Sequence, residues 1–331
     1  MVWRRSFKPA SLLELCVFFL LFQGSVGLLW NAFDLEYWRC KLKRNNQCPD
    51  EDIKVWLYTP DKSYARRIHI HSPLTLQEQG WNPRHKSVII IHGFNGTESK
   101  TPMTFIRDAY LNRRDYNVFT VDWEILTPFP CYLSAISNSR LVAQCSAQFY
   151  SYLTRSGATA QSVHCVGHSL GAHICGMMTN HLSEKMHKII GLDPARPLVD
   201  RYGSRAFRLT RDDAHIVQVI HTNAGLLGET PQVGHVDFCV NGGRMQPSCR
   251  KEGRMIRQAR CSHFLSSCFF AATISDAGSR HKAAPCTASC RPLPRGYGGR
   301  SFTVSMGHHT PETARGTYCI RMDDAQRCPF D

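Results

Sequence analysis

Short apolar runs separated by helix-like stretches set the rhythm of this chain. Residues 53–60 alternate apolar and polar side chains and stop at Pro60, which predicts a strand. Residues 87–91 (SVIII) form an unbroken apolar run of the kind a strand shows when both its faces are buried. Residues 117–122 form another. Helical spacing over 140–154, preceded by Ser137-Asn138-Ser139, predicts a helix with its N-terminus at that polar cluster. Further strands are predicted at 162–166, 187–192 and 215–220, with a helix from about 170 to 182 between the first two. Strands alternating with helices imply an α/β fold, with an open, mostly parallel central sheet and helices on both faces. After about residue 225 the periodicity fades, Gly, Pro and Cys become frequent, and 284–300 looks like a disulfide-stapled loop region. With no internal repeat and no charged linker, residues 28–331 are expected to form one domain.

Composition adds a compartment. The 331 residues are 43% hydrophobic and 20% charged, an ordinary globular balance that excludes disorder, collagen and coiled coil. Arg4, Arg5 and Lys8 precede an apolar stretch, Leu12 to Phe22, interrupted by Glu14. Small residues Ser25 and Gly27 follow, so 1–27 is expected to be a secretory signal peptide. The apolar stretch is about half the roughly 20 residues that span a bilayer, and no transmembrane segment is expected. Removing the signal takes the formal charge from +14 to +12 and leaves fourteen of the fifteen cysteines, which suits a secreted, extracellular, disulfide-bonded protein. Local spacing suggests the pairs Cys40–Cys48, Cys131–Cys145 and Cys319–Cys328, with Cys165 and Cys175 as buried free thiols.

The chemistry centres on Gly167-His168-Ser169-Leu170-Gly171, a G-x-S-x-G sequence between a predicted buried strand and a predicted helix. That context is what a nucleophile elbow requires: the glycines allow close backbone packing, and Ser169 stands exposed at the carboxyl edge of the sheet. The Leu170 N–H at the helix start can serve a developing oxyanion. A serine hydroxyl needs a base and an orienting acid, in the order Ser, acid, His. Asp193, in Gly-Leu-Asp-Pro-Ala, ends the next predicted strand and suits the acid. Sixteen histidines leave the base less sharply defined. His92 and His168 look like scaffold, His221 and His235 flank a loop, and His308 and His309 lie in a Gly/Pro-rich segment. His263 follows the acid and stands next to Cys261, which favours it. Ile91-His92-Gly93-Phe94 leaves an apolar strand at a glycine, so the Phe94 N–H is the expected second oxyanion donor.

With these residues in place the chain resembles the pancreatic-type animal lipases, and most of all their insect secreted members and phospholipase A1 branch. The motifs run in family order: Ile90 to Phe94, Val121-Asp122-Trp123, Gly167 to His173, Gly191 to Ala195, Val219 to Thr222, Gly234 to Phe238, Asn241-Gly242-Gly243 and Cys261-Ser262-His263. The resemblance implies an α/β-hydrolase fold without the C-terminal β-sandwich of longer members, hence no colipase-type partner. It implies Ser169 as nucleophile, Asp193 as acid and His263 as base, with Phe94 and Leu170 N–H groups as the oxyanion hole and no cofactor. The lid would lie between Cys249 and Cys261 and the second substrate loop between His221 and His235. Both are short, as in the phospholipase A1 members. Arg250, Lys251, Arg254, Arg257 and Arg260 in the lid suit an anionic lipid surface. Some relatives hold Ca²⁺ just before the 215–220 strand, but Arg205 and Thr210 stand here where carboxylates would be needed, so no metal is expected. The sequon Asn95-Gly96-Thr97 follows the oxyanion residue directly, where a glycan would crowd the cleft. The implied activity is secreted phospholipase A1, cleaving an sn-1 acyl ester of a lipid at a membrane or emulsion surface. The alternatives are a triacylglycerol or galactolipid lipase and a catalytically silent, yolk-like lipid-binding protein. A secretion signal without any recognition motif argues against a nucleic-acid partner.

Overall fold

The structure is a computed structural model that describes residues 40–45, 47–72, 74–199, 204–293 and 302–323. The expected signal segment, with Cys16, and the expected partner Cys328 lie outside the described residues. The strands are β1 (Lys54–Thr59), β2 (Lys62–Ile68), β3 (Lys86–Ile91), β4 (Tyr116–Asp122), β5 (Val163–His168), β6 (Met186–Leu192), β7 (Ala214–His221), β8 (Val236–Val240), β9 (Lys282–Pro285), β10 (Val304–Ser305) and β11 (Gly316–Ile320). The helices are α1 (Met103–Arg113), α2 (Tyr132–Arg155), α3 (Leu170–Met178) and α4 (Met255–Ala272).

Among the described residues every strand belongs to one sheet, in the order β10-β9-β11-β8-β7-β6-β5-β3-β4-β1-β2. From β4 across to β11 all neighbours are parallel, and antiparallel pairs close both edges. Period-2 alternation explains the unbroken apolar runs. Ile89 and Ile91 of β3 enter the core under α2 and α3, while Val88 and Ile90 enter the core under α1 and α4. Strand β6 repeats the arrangement with Ile189 on the first side and Ile190 on the second. The chain passes from β3 to β4 on one side and returns to β5 on the other. That reversal opens a crevice at the carboxyl ends of β3 and β5, the place where such sheets bind ligands.

Three expectations change. Helix α2 begins at Tyr132, eight residues before the expected 140, and Ser137-Asn138-Ser139 sit inside it. Asn138 is buried because its amide bonds the Lys41 and Leu126 carbonyls at 2.8 and 3.1 Å and its carbonyl accepts the Lys43 N–H. Beyond residue 225 the fold continues with β8, α4, β9 and β11, although 284–293 is indeed stapled through Cys286 and Cys290. The disulfides also cross between segments: Cys40–Cys131, Cys48–Cys145, Cys165–Cys175, Cys239–Cys290, Cys249–Cys261 and Cys286–Cys319. Cys131 and Cys145 bracket four turns of α2, about 21 Å of rise, far beyond the reach of a disulfide. The 40–50 segment lying along that helix takes both. Cys165 and Cys175 are bonded rather than free because α3 packs on the face of β5 that Cys165 enters, bringing the Cα atoms to 5.9 Å. Cys319 on β11 bonds Cys286, which directly follows the neighbouring strand β9.

Candidate active site

Ser169 occupies the turn between β5 and α3 with φ 58° and ψ −121°, a conformation costing a non-glycine residue about 1–3 kcal/mol. Close packing enforces it. A methyl group on Gly167 would collide with the Gly171 carbonyl, and one on Gly171 with the Ile91 carbonyl, so strand, turn and helix start meet backbone to backbone. The Ser169 N–H donates to the Leu192 carbonyl at 3.0 Å, tying the turn to the end of β6. A side chain on Gly93 would stand 2.5 Å from the Ser169 Cβ, so the β3 end, Gly93-Phe94, and the helix start at Leu170 both border the serine.

Asp193 ends β6 with φ 44°, a left-handed conformation that aspartate tolerates, and is fully buried. Its Oδ1 accepts the N–H groups of Thr222 and Asn223 at 2.9 and 3.0 Å. Its Oδ2 lies 2.6 Å from His263 Nδ1. A carboxylate partner at Nδ1 sets the tautomer with its proton there and leaves Nε2 as the lone-pair nitrogen. His263 sits on α4, two residues after the Cys249–Cys261 bridge. Its carbonyl accepts from Ser266 Oγ at 2.8 Å and from His168 Nε2 at 3.1 Å. Burial, and then the neighbouring His263 and His92, hold the His168 imidazole well below its ordinary range, so it remains a neutral donor. Ser169 and His263 line one cavity of about 570 Å³, together with Phe94, Tyr132, Arg260 and Phe264. Tyr132 stands edge-on to Phe94, 5.0 Å between ring centres, and its hydroxyl donates to the Pro197 carbonyl.

The other histidines are occupied elsewhere. His92 Nε2 accepts the Trp123 N–H at 3.0 Å and its carbonyl accepts the Trp123 indole N–H, which fixes the end of β3. His235 Nδ1 accepts the Val217 N–H, His308 contacts the Tyr110 hydroxyl and His309 the Ser275 carbonyl. His221 Nε2 lies 2.8 Å from Asp237 Oδ1 in full burial. Burial pushes this imidazole down, but the Asp237 hydrogen bond and charge outweigh it, with a further contribution from Asp193, and the net shift is upward. The pair sits at the base of the 222–235 loop, whose first two N–H groups hold Asp193. Sequence reasoning did not find these donors or Gly228, whose Cα packs against the Asp193 carboxylate. The one available signal was the Gly-His-Val-Asp-Phe run at 234–238, which contains the partner of His221.

The segment from Cys249 to Cys261 is a 3₁₀ turn, Ser248–Glu252, followed by the first turns of α4, closed by the disulfide. Its five cationic side chains are exposed. Ile125, Leu133, Leu226 and Met255 are exposed apolar side chains; the first three are chain neighbours of the cavity residues Glu124, Tyr132 and Leu227, and Met255 opens α4. At the stretch weighed for calcium, Arg205 pairs with Asp212 at 2.5 Å and Asp213 accepts the Thr210 N–H at 2.7 Å. Asn95 is exposed at the cavity wall, with Oδ1 accepting from the Phe129 N–H.

The family model described as Lipase matches residues 30–293. Lipase member H of Xenopus tropicalis is 38% identical over 242 residues, covering 70% of this chain and 51% of that protein. Phospholipase A1 member A of Bos taurus is 36% identical over 200 residues, covering 60% and 43%. The chain thus spans about half or less of the length of the relatives it matches. An esterase from Pyrococcus furiosus has 15% identity and a TM-score of 0.35, covering 54% of this chain and 74% of that one.

Proposed function

This chain belongs to the lipase family, and from that premise we propose that it is a secreted serine hydrolase of lipid acyl esters, acting as a phospholipase A1. The observation that carries the proposal is the 2.6 Å Asp193–His263 contact in the cavity that Ser169 lines. Ser169 Oγ attacks the sn-1 ester carbonyl while His263 Nε2 takes its proton, and Asp193 orients and stabilises the imidazolium. The N–H groups of Phe94 and Leu170 serve the oxyanion. His263 then protonates the departing lysolipid oxygen, leaving an acyl-serine. Water, deprotonated by the same nitrogen, releases the fatty acid and restores Ser169.

A phospholipid substrate is favoured by the short segment between Cys249 and Cys261, too small to wall off a deep apolar cleft, and by Lys100 and Arg260 in the cavity lining. The name of the 36%-identical bovine relative points the same way. The exposed apolar side chains Ile125, Leu133, Leu226 and Met255 and the basic segment suit a lipid surface, anionic by preference. Secretion is supported by the six described disulfides, and among the described residues no helix is long and apolar enough to cross a membrane.

The test compares fatty-acid release from sn-1-labelled phospholipid vesicles with release from emulsified triolein, beside a Ser169→Ala control. Phospholipid cleavage that falls about 10³-fold or more in the control is the expected result. Release mainly from triolein would make the protein a neutral lipase. Cleavage of neither lipid by folded protein would leave a silent lipid-binding protein.

A further inference from the structure

His221, the last residue of β7, is a fully buried imidazole with no part in the proposed ester hydrolysis, and both of its ring nitrogens meet oxygen. Nδ1 lies 3.1 Å from the Glu229 carbonyl, which can only accept, so that nitrogen carries a proton. Nε2 lies 2.8 Å from Asp237 Oδ1 on β8. At that separation a proton must lie between the two atoms, since two facing lone pairs would repel. Where the proton sits decides whether the pair is neutral or a buried ion pair. The surroundings of Asp237 favour the ion pair. Its Oδ1 also accepts the Val233 and Gly234 N–H groups at 3.2 and 3.4 Å, and its Oδ2 accepts the Gly234 N–H at 3.2 Å. Donors on both oxygens stabilise the carboxylate and leave the proton to the imidazole. Burial opposes a charge on His221, but the Asp237 bond and charge outweigh it, and the Asp193 charge at the end of β6 adds to them. Acidic groups thus face the ring from the strands on either side of β7.

The same residue is bracketed by the contacts that seat Asp193. The Asp193 N–H donates to the Ile220 carbonyl at 2.8 Å, and Asp193 Oδ1 accepts the N–H groups of Thr222 and Asn223. A residue between two such attachments cannot shift without moving the carboxylate that meets His263 Nδ1. We infer that His221 is a positioning residue of the hydrolytic site that stays protonated across neutral pH, its two ring N–H groups pinning the 222–235 loop and its charge acting on Asp193. The inference rests on Asp193 and His263 serving as acid and base, as proposed above. Charges then alternate from Asp237 through His221 and Asp193 to the imidazole that takes the Ser169 proton. The His221 cation tempers the hold of Asp193 on a proton at His263, because like charges repel. Without that cation His263 keeps its second ring proton to higher pH, and in that form it cannot take one from Ser169.

The test is nitrogen-15 NMR of the histidine rings in the Ser169→Ala protein, which keeps the result independent of hydrolysis. The signals of His221 and His263 are identified by their loss in His221→Gln and His263→Gln. His221 should carry protons on both ring nitrogens from about pH 6 to about pH 8, the range in which an ordinary imidazole becomes neutral. Adding His221→Gln should raise the pH at which His263 releases its second ring proton by at least about half a pH unit. Adding Asp237→Asn as well, so that both charges are gone, should undo part of that rise. With Ser169 intact, the acid limb of kcat/KM for a soluble short-chain ester should move in the same direction. In the His221→Gln protein kcat should fall at least about tenfold while KM changes less than about twofold. A purely structural role would lower activity and leave the limb in place. One ring proton on His221 at pH 7, or a His263 titration unmoved in folded His221→Gln protein, overturns the inference. If that variant does not fold, the protonation of His221 in the Ser169→Ala protein decides alone. A folded parent protein that hydrolyses no ester would overturn the proposed function instead, and the ring signals would still judge His221.

Discussion

Asp213, just before β7, is a carboxyl group whose surroundings pull in opposite directions. Its oxygens accept the Thr210 N–H at 2.7 Å and the Thr210 hydroxyl at 3.2 Å, which favours the charged form. Burial disfavours that form more strongly, the neighbouring Asp212 charge adds to it, and the group is pushed up to about 6 from 3.8. A folded value above the unfolded one means that the native state binds the proton more tightly. The stabilisation is complete below about pH 4 and is lost as pH rises through 6. Urea unfolding across pH 4–7 should show Asp213→Asn gaining on the parent as pH rises. At pH 7 the variant should be more stable by about 1–2 kcal/mol, discounted for partial exposure. At this scale the candidate site was partly legible. Ser169 and Asp193 announce themselves because a nucleophile elbow and a strand-end acid each have a local sequence form. The Thr222 and Asn223 N–H groups do not, because a backbone donor is not specified by residue type. Their relation to Asp193 appears only when β7 lies beside β6.

Helix α4 shows why an element can be missed while a candidate residue on it is singled out. His263 was favoured by its place after the acid and beside Cys261, yet the helix beneath it left no clear apolar stripe. Its buried side carries Ser262, Ser266 and Ser267 among Leu265, Phe269 and Phe270. Ser262 and Ser266 bond back to the Gln258 and His263 carbonyls, so polar letters fill buried positions and dilute the 3.6-residue period. The same effect in α2, where buried Asn138 bonds another segment, displaced the expected start of that helix. Strands β3, β5, β6 and β7 were legible because burial on both faces leaves an unbroken apolar run. The bridge from Cys249 to Cys261 anchors the first turns of α4 to the preceding 3₁₀ turn. Replacing both cysteines by serine should cost about 2–3 kcal/mol in chemical unfolding. Because His263 lies on the same helix, kcat should fall more than KM rises in lipid hydrolysis.

Across the molecule, the mostly parallel sheet with helices on both faces followed from the alternation of elements, while the disulfide pairing did not, since it depends on which distant segments the fold brings together. Cys40 and Cys48 lie within one short segment, yet each bonds a different end of the first 14 residues of α2 and its cap. The bridge at Cys249–Cys261 has a consequence for behaviour at a lipid surface. Enzymes whose cover swings on a hinge work slowly on dispersed molecules and accelerate abruptly once the substrate aggregates. If the Cys249–Cys261 segment is the cover, as proposed, it is a few residues bolted to the helix that bears His263, and its swinging should displace that imidazole. Hydrolysis of a short-chain phospholipid, followed from well below to well above its critical micelle concentration, should therefore rise smoothly. An abrupt increase in rate at that concentration would show that the cover moves on its own.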